Sequence, residues 1–245
     1  MIRKIILFIL IVSTLFSCNP ISEVDEFNYP DSKIWKHRAN VTEELKQIED
    51  IFDGVEVDII YLAEKDDIYV AHGYEDTINN IFLDEWLSVL KNPSKMCYWI
   101  DFKNLTVHNA SKALNKLGSI VDKYDIRDKV FIESWSTEAL RKAKKNGFFV
   151  MLWVDAMSNL DNPTLDDTIY TINKIRSNIE SLEPNAISCV YTMFPILCDS
   201  FPEQNIHFWD TPKEFTPKNV EFTKKICRNE SVKIVLVDYP KPISY

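Results

Sequence analysis

Gly54-Val55-Glu56-Val57-Asp58-Ile59-Ile60-Tyr61-Leu62 is the stretch on which the fold turns. Its β-branched and apolar residues predict a buried strand. Glu56 and Asp58 stand two apart, which in a strand places both carboxylates on one face. At roughly 4 Å and an effective dielectric of about 20, two such charges repel by ~4 kcal/mol before any desolvation. A positive group between them relieves this, and a divalent metal is the simplest one. His37 flanks the strand upstream and His72 downstream. Further on, Tyr98-Trp99-Ile100-Asp101-Phe102-Lys103 is a second apolar strand, with an acid and a lysine two apart.

Outward from these two stretches, apolar runs alternate with helical patterns. Strands are expected at 34–37, 54–62, 98–103, 130–135, 148–155, 186–193, 206–210 and 233–239, with a short extra strand at 68–72. Helices are expected at 42–52 (capped by Thr42), 82–90, 110–124, 137–146 (ended by Gly147), 166–182, 194–199 and 217–228. Continuous apolar strands alternating with helices imply a parallel sheet, and eight of them imply an α/β fold of the (β/α)8 TIM-barrel type in a single domain. A doubly wound sheet lacks its usual glycine-rich first turn here. In a barrel the C-terminal strand ends carry the chemistry, and His37, Asp58, Lys103, Trp135, Asp155, Trp209 and Asp238 fall there. Six residues follow Tyr239, so the last helix is expected to be missing, with the N-terminal tether available to cover that gap.

With 245 residues, 46% hydrophobic, the chain can bury one sizeable core. A net charge of −9 argues against nucleic acid and against a polybasic membrane patch. Four glycines leave no room for a phosphate-cradling loop. Arg3 and Lys4 precede the apolar run Ile5–Phe16, and Leu15-Phe16-Ser17-Cys18 matches a bacterial lipoprotein cleavage box. Residues 1–17 are therefore expected to be a signal peptide, Cys18 a lipidated anchor, 18–32 a tether and 33–245 the barrel. The expected location is the bacterial cell envelope, with the chain held at the membrane by lipid and monomeric. Cys97, Cys189, Cys198 and Cys227 show no zinc spacing; one disulfide stays open.

His37-Arg38, Glu56-x-Asp58, His72 and Asp101-Phe102-Lys103, taken in order, resemble the glycerophosphodiester phosphodiesterase superfamily of phospholipase C-like barrels. Intervals of 19 residues from His37 to Glu56 and 16 from Glu56 to His72 belong to that pattern, and Val237-Asp238-Tyr239-Pro240 is similar to the family's final strand. The His37-x-x-Asn40 form and Ile100–Lys103 are closer to sphingomyelinase D, and Trp35-x-His37-x-x-Asn40 is similar to the menorin proteins. Departures are Ala39 for the usual glycine, Gly73 after His72 for the usual aspartate, and Asp101 for the usual glutamate. The insertion domain of larger glycerophosphodiesterases has no room between His72 and Asp101.

The resemblance implies that Glu56, Asp58 and Asp101 bind one Mg2+ or Ca2+. It implies His37 and His72 as the acid/base pair, and Arg38 and Lys103 as phosphate neutralisers; a salt bridge from Lys103 to Asp101 or Glu56 is the plainer role. Trp209 is expected against the substrate, while Glu133 and Trp135 stand undecided between pocket and core. His108 reads as surface and His207 as structural. The implied activity is hydrolysis of a small phosphodiester, either a glycerophosphodiester or a phospholipid head group, by way of a cyclic phosphate. Two alternatives remain open: a glycoside hydrolase using Glu133 and Asp210, and a barrel that binds without catalysis.

Overall fold

A computed structural model describes residues 26–76, 81–157 and 163–245. Nine strands form its sheet: β1 (Ile34–Lys36), β2 (Gly54–Leu62), β3 (Asp67–Val70), β4 (Cys97–Phe102), β5 (Val130–Ser134), β6 (Phe149–Trp153), β7 (Ala186–Val190), β8 (Ile206–Trp209) and β9 (Val232–Val237). Seven helices accompany them: α1 (Thr42–Ile48), α2 (Leu83–Ser88), α3 (Ala110–Lys123), α4 (Thr137–Lys145), α5 (Leu165–Leu182), α6 (Phe194–Ser200) and α7 (Pro217–Cys227). The order β1-β9-β8-β7-β6-β5-β4-β2 is parallel throughout, and the pairing of Lys36 with Val55 closes it into a ring. β3 is the expected extra strand, an antiparallel hairpin partner of β2. The eight-stranded parallel barrel read from the sequence is the fold. Between β3 and β4 the described residues form only α2 and a 3-10 turn, leaving no insertion domain.

Two layers of core follow from the strand period of two. One set of residues points outward and packs under the helices: Val55, Val57, Ile59, Ile100, Ile132, Val150, Ile187, Phe208 and Val235. The other fills the barrel, with Trp35, Trp99, Phe131, Phe149, Met151, Ala186, Ile234 and Leu236. The first layer explains why the strands read as unbroken hydrophobic runs: both faces are buried. Gly54 is fixed by the second, because a Cβ there would lie 2.2 Å from the Trp35 ring.

Two local expectations change. Thr42 does not cap α1: Val41 holds the N-cap position without a side-chain bond, and the Thr42 hydroxyl goes to Glu43 instead. The strand expected to reach Met193 ends at Val190, where a 3-10 turn over Tyr191–Met193 leads into α6. The residues after β9 pack back onto the barrel, and residues 18–25 of the expected tether lie outside the described residues. Tyr239 and Ile243 are buried there, and the Tyr245 hydroxyl accepts the Lys33 N–H at 2.7 Å.

The tether's described end lies inside the barrel's lower mouth, formed by the N-terminal strand ends. Phe27 is 5% exposed, with its ring 4.2 Å from that of Phe131 and 5.1 Å from that of Phe149. The Tyr29 hydroxyl meets His207 Nε2 at 3.0 Å. Cys97, Cys189, Cys198 and Cys227 are all buried free thiols. Cys18 and the expected signal segment lie outside the described residues, among which no helix is long and apolar enough to cross a membrane.

Candidate active site

The upper mouth, at the C-terminal strand ends, opens into a cavity of about 390 Å³. Glu56 and Asp58 enter it from β2 and Asp101 from β4, where Asp58 and Asp101 are register partners. One oxygen from each carboxylate lies within 4.8 Å of the others, and Glu56 and Asp58 are almost fully buried. Burial pushes the Glu56 carboxyl well up, and the charges of Asp58 and Asp101 push it further. Burial also raises Asp101, against the opposing pull of Lys103.

Lys103 is the counter-charge. Its Nζ lies 2.9 Å from Asp58 Oδ1 and also bonds Asp101 Oδ2, so it bridges these two rather than reaching Glu56. Burial would lower the ammonium's pKa, but Asp101 and Asp58 outweigh it and hold Lys103 protonated far into the alkaline range.

The loop after β1 grips β2. Arg38 adopts a left-handed backbone (φ 53°), a conformation that costs energy in a non-glycine residue. This aims its N–H at Glu56 Oε2, 2.7 Å away. Ala39 N–H donates to the Glu56 carbonyl at 2.9 Å. Asn40 clamps Asp58 twice, donating from Nδ2 to Oδ2 at 2.8 Å and accepting the Asp58 N–H at 3.0 Å. Each carboxylate is thus oriented before any ligand arrives.

His37 Nδ1 lies 3.1 Å from Asp238 Oδ1, and its Nε2 is 4.0 Å from Glu56 Oε2. Burial pushes Asp238 up, but the hydrogen bond and charge of His37, with Lys36 and Lys213, leave it below the usual carboxylate range. Asp238 was legible only as a residue of the last strand, without a role. His72 follows β3, is exposed, borders the cavity and acts electrostatically on Asp101. Arg38 borders the cavity too, with its residue exposed.

Opposite the ionic wall stand Trp135, Trp153 and Trp209, from the ends of β5, β6 and β8. Trp209 and Trp135 both border the cavity. Trp153 was missed because it closes an unbroken apolar run and shows no polar signal. Glu133 lies deeper, accepting from Trp99 Nε1 at 2.9 Å and from the Ser188 hydroxyl. Burial, with the nearby Asp101 charge, pushes it up to about 8. Asp210 is exposed and does not border this cavity, so the carboxylate pair required for glycoside hydrolysis does not form. His108 is exposed and His207 buried, as their sequence context suggested.

Solved structures share this arrangement of strands. A glycerophosphodiester phosphodiesterase from Parabacteroides distasonis ATCC 8503 superposes with a TM-score of 0.62 at 13% identity, over 87% of this chain and 95% of its own. A phosphodiesterase from Oleispira antarctica, solved with the product sn-glycerol-3-phosphate, gives 0.62 at 13%, over 86% and 94%. The chain shares the (β/α)8 barrel of these enzymes. That barrel is also shared, more distantly, with phosphoribosyl anthranilate isomerase from Thermococcus kodakaraensis (TM-score 0.51, 14% identity, 83% and 86% covered). No family model and no curated protein matches the sequence. Because such barrels host many activities, it is the polar residues of the upper mouth that must carry any argument about chemistry.

Proposed function

We propose that this protein is a divalent-metal-dependent phosphodiesterase of the cell envelope, acting on glycerophosphodiesters or phospholipid head groups. The observation that carries this is one cavity holding three converging carboxylates, two histidines, an arginine and a lysine. Glu56, Asp58 and Asp101 would hold the cation; an all-oxygen donor set suits Mg2+ or Ca2+. The crowding of the three carboxylates and the raised pKa values of Glu56 and Asp101, only partly relieved by Lys103, fit such a site. The cation, when bound, would supply Lewis acidity and neutralise phosphate charge.

The remaining chemistry belongs to the chain. With Nδ1 engaged by Asp238, His37 would present Nε2 to take or give a proton. His72 is its counterpart from the β3 side. One imidazole would remove the proton from a substrate hydroxyl, whose oxygen then forms the new bond to phosphorus. The other would protonate the departing alkoxide as its P–O bond breaks. The product is a cyclic phosphate, open to later hydrolysis. Intramolecular attack of this kind gains up to roughly 7–11 kcal/mol from proximity. Arg38 and Lys103 would balance phosphate charge. Trp209, whose buried indole N–H has no partner among the described residues, would offer a donor to the substrate. Cys18, by its cleavage box, would tie the barrel to the membrane through lipid.

A phosphodiester panel assayed with and without chelator, with His37→Ala as blank, tests the reading. Turnover that survives chelation or the His37 substitution would overturn it. Within the panel, diesters with a neighbouring hydroxyl should react, and their methyl-capped analogues should bind but turn over far more slowly. Equal rates would make water the nucleophile.

A further inference from the structure

The path of the chain between the expected anchor and the barrel constrains how the molecule stands on a membrane. Phe27 and Tyr29 occupy the lower mouth, held by Phe131 on β5, Phe149 on β6 and His207 on β8. The candidate site opens at the other end, among the C-terminal ends of the same strands. Phe27 lies nine positions after Cys18, and at ~3.3–3.6 Å per residue the connection spans roughly 30–32 Å at most. For the upper mouth to face the same bilayer, that connection would have to pass beneath the barrel wall and cross the helical layer, roughly 10–12 Å thick. It would then have to climb the flank, where α5 with its 18 residues is about 27 Å long. The detour exceeds the available chain. Withdrawing the plug to lengthen the connection would expose the Phe27 ring and break the Tyr29–His207 hydrogen bond.

We propose that the barrel stands on its anchoring bilayer with its lower mouth toward the lipid and its catalytic mouth turned away, so that it receives water-soluble phosphodiesters and not phospholipids of the leaflet that holds it. This rests on the anchoring and phosphodiesterase readings above, and it selects between the two substrate classes they leave open. A cavity of about 390 Å³ is of a size for a head group and its phosphate.

The test uses the full lipidated chain in vesicles of phosphatidylethanolamine and phosphatidylglycerol. A single fluorophore is placed at Lys95→Cys, in the loop before β4 on the lower face, or at Glu214→Cys, in the loop after β8 at the upper mouth. Both positions are exposed, and the barrel's own thiols are buried, so labelling is selective. Energy transfer to an acceptor lipid should be several-fold more efficient from position 95 than from position 214. Equal or stronger transfer from position 214 would overturn the orientation. Failure of the full chain to float with vesicles would remove the anchor, and the orientation with it. A second arm compares a soluble glycerophosphodiester with the host lipids: cleavage of the former alone is expected, and cleavage of the latter by the anchored protein would overturn the substrate assignment. The fluorescence arm needs no turnover, so failure of the orientation is distinguishable from failure of the phosphodiesterase reading.

Discussion

Asp238 and Glu133 show how two carboxyl side chains near one cavity are driven in opposite directions. Asp238 is partly exposed and paired with His37, and it stays ionised. Its expected contribution is to fix the His37 ring with Nε2 free. His37→Ala should lower phosphodiester turnover by about 10²–10⁴-fold. Asp238→Asn should give a smaller loss and move the acidic limb of the pH–rate profile, since the imidazolium loses its charged partner; an unmoved limb would reduce Asp238 to a structural role. Glu133 has its folded pKa raised to about 8 by burial and by Asp101. Because that value lies above the ordinary 4.5 of an unfolded chain, folding is favoured by the protonated form. That stability is complete below pH 4.5 and is lost as the pH rises through about 8. Glu133→Gln, which stays neutral and can still accept from Trp99, should therefore melt at increasingly higher temperature than the parent between pH 5 and pH 9. The comparison is made by calorimetry in chelator, and parallel curves would contradict it. The inward pairing of Glu56 and Asp58 was legible because two acids two apart in an apolar strand make a conspicuous pattern. Glu133 was not assignable: a single acid in strand five carries no periodic clue to whether its face is solvated.

At the scale of elements, the strands were readable to within a few residues because burial on both faces leaves them almost purely apolar. Loop conformation was less readable. Nothing in His37–Asn40 announces that Arg38 takes a left-handed backbone so that its N–H reaches Glu56. Similarly, Thr42 looks like a cap, yet its hydroxyl is drawn to Glu43 and α1 begins without side-chain support. Gly54 gives the element-level prediction. A methyl there would sit 2.2–2.6 Å from three atoms of the fully buried Trp35 ring, which has no space to retreat. Gly54→Ala should cost roughly 1–3 kcal/mol by overpacking. Urea unfolding measures this, and an unchanged midpoint would mean that β1 slides freely over β2.

For the whole molecule, the closed ring was legible as a count of strands, but what stops its lower end was not. Phe27 and Tyr29 sit singly among polar residues, with no period that betrays burial. Phe27→Ala should destabilise the barrel by about 3–5 kcal/mol, as for other buried aromatics. It should do so without changing metal affinity, because the plug and the carboxylate trio lie at opposite mouths. A lower melting temperature with an unaltered Mg2+ or Ca2+ titration is the expected pair of results. A weakened titration would couple the two ends.

The same plug has a consequence for the order of folding. Tyr29 finds its partner 178 positions downstream, Ile34 pairs with Val235, and Lys33 N–H reaches Tyr245 across 212 positions. Contacts so distant along the chain are slow to form, since loop-closure entropy must be overcome before they reward it. The first part of the polypeptide to be synthesised is thus among the last to find its place. Until β8 and β9 exist, Phe27, Tyr29 and Trp35 have nowhere to dock, and the nascent barrel carries an open seam with exposed strand edges. Its most aggregation-prone interval falls after most of the chain is made and before its final strands arrive.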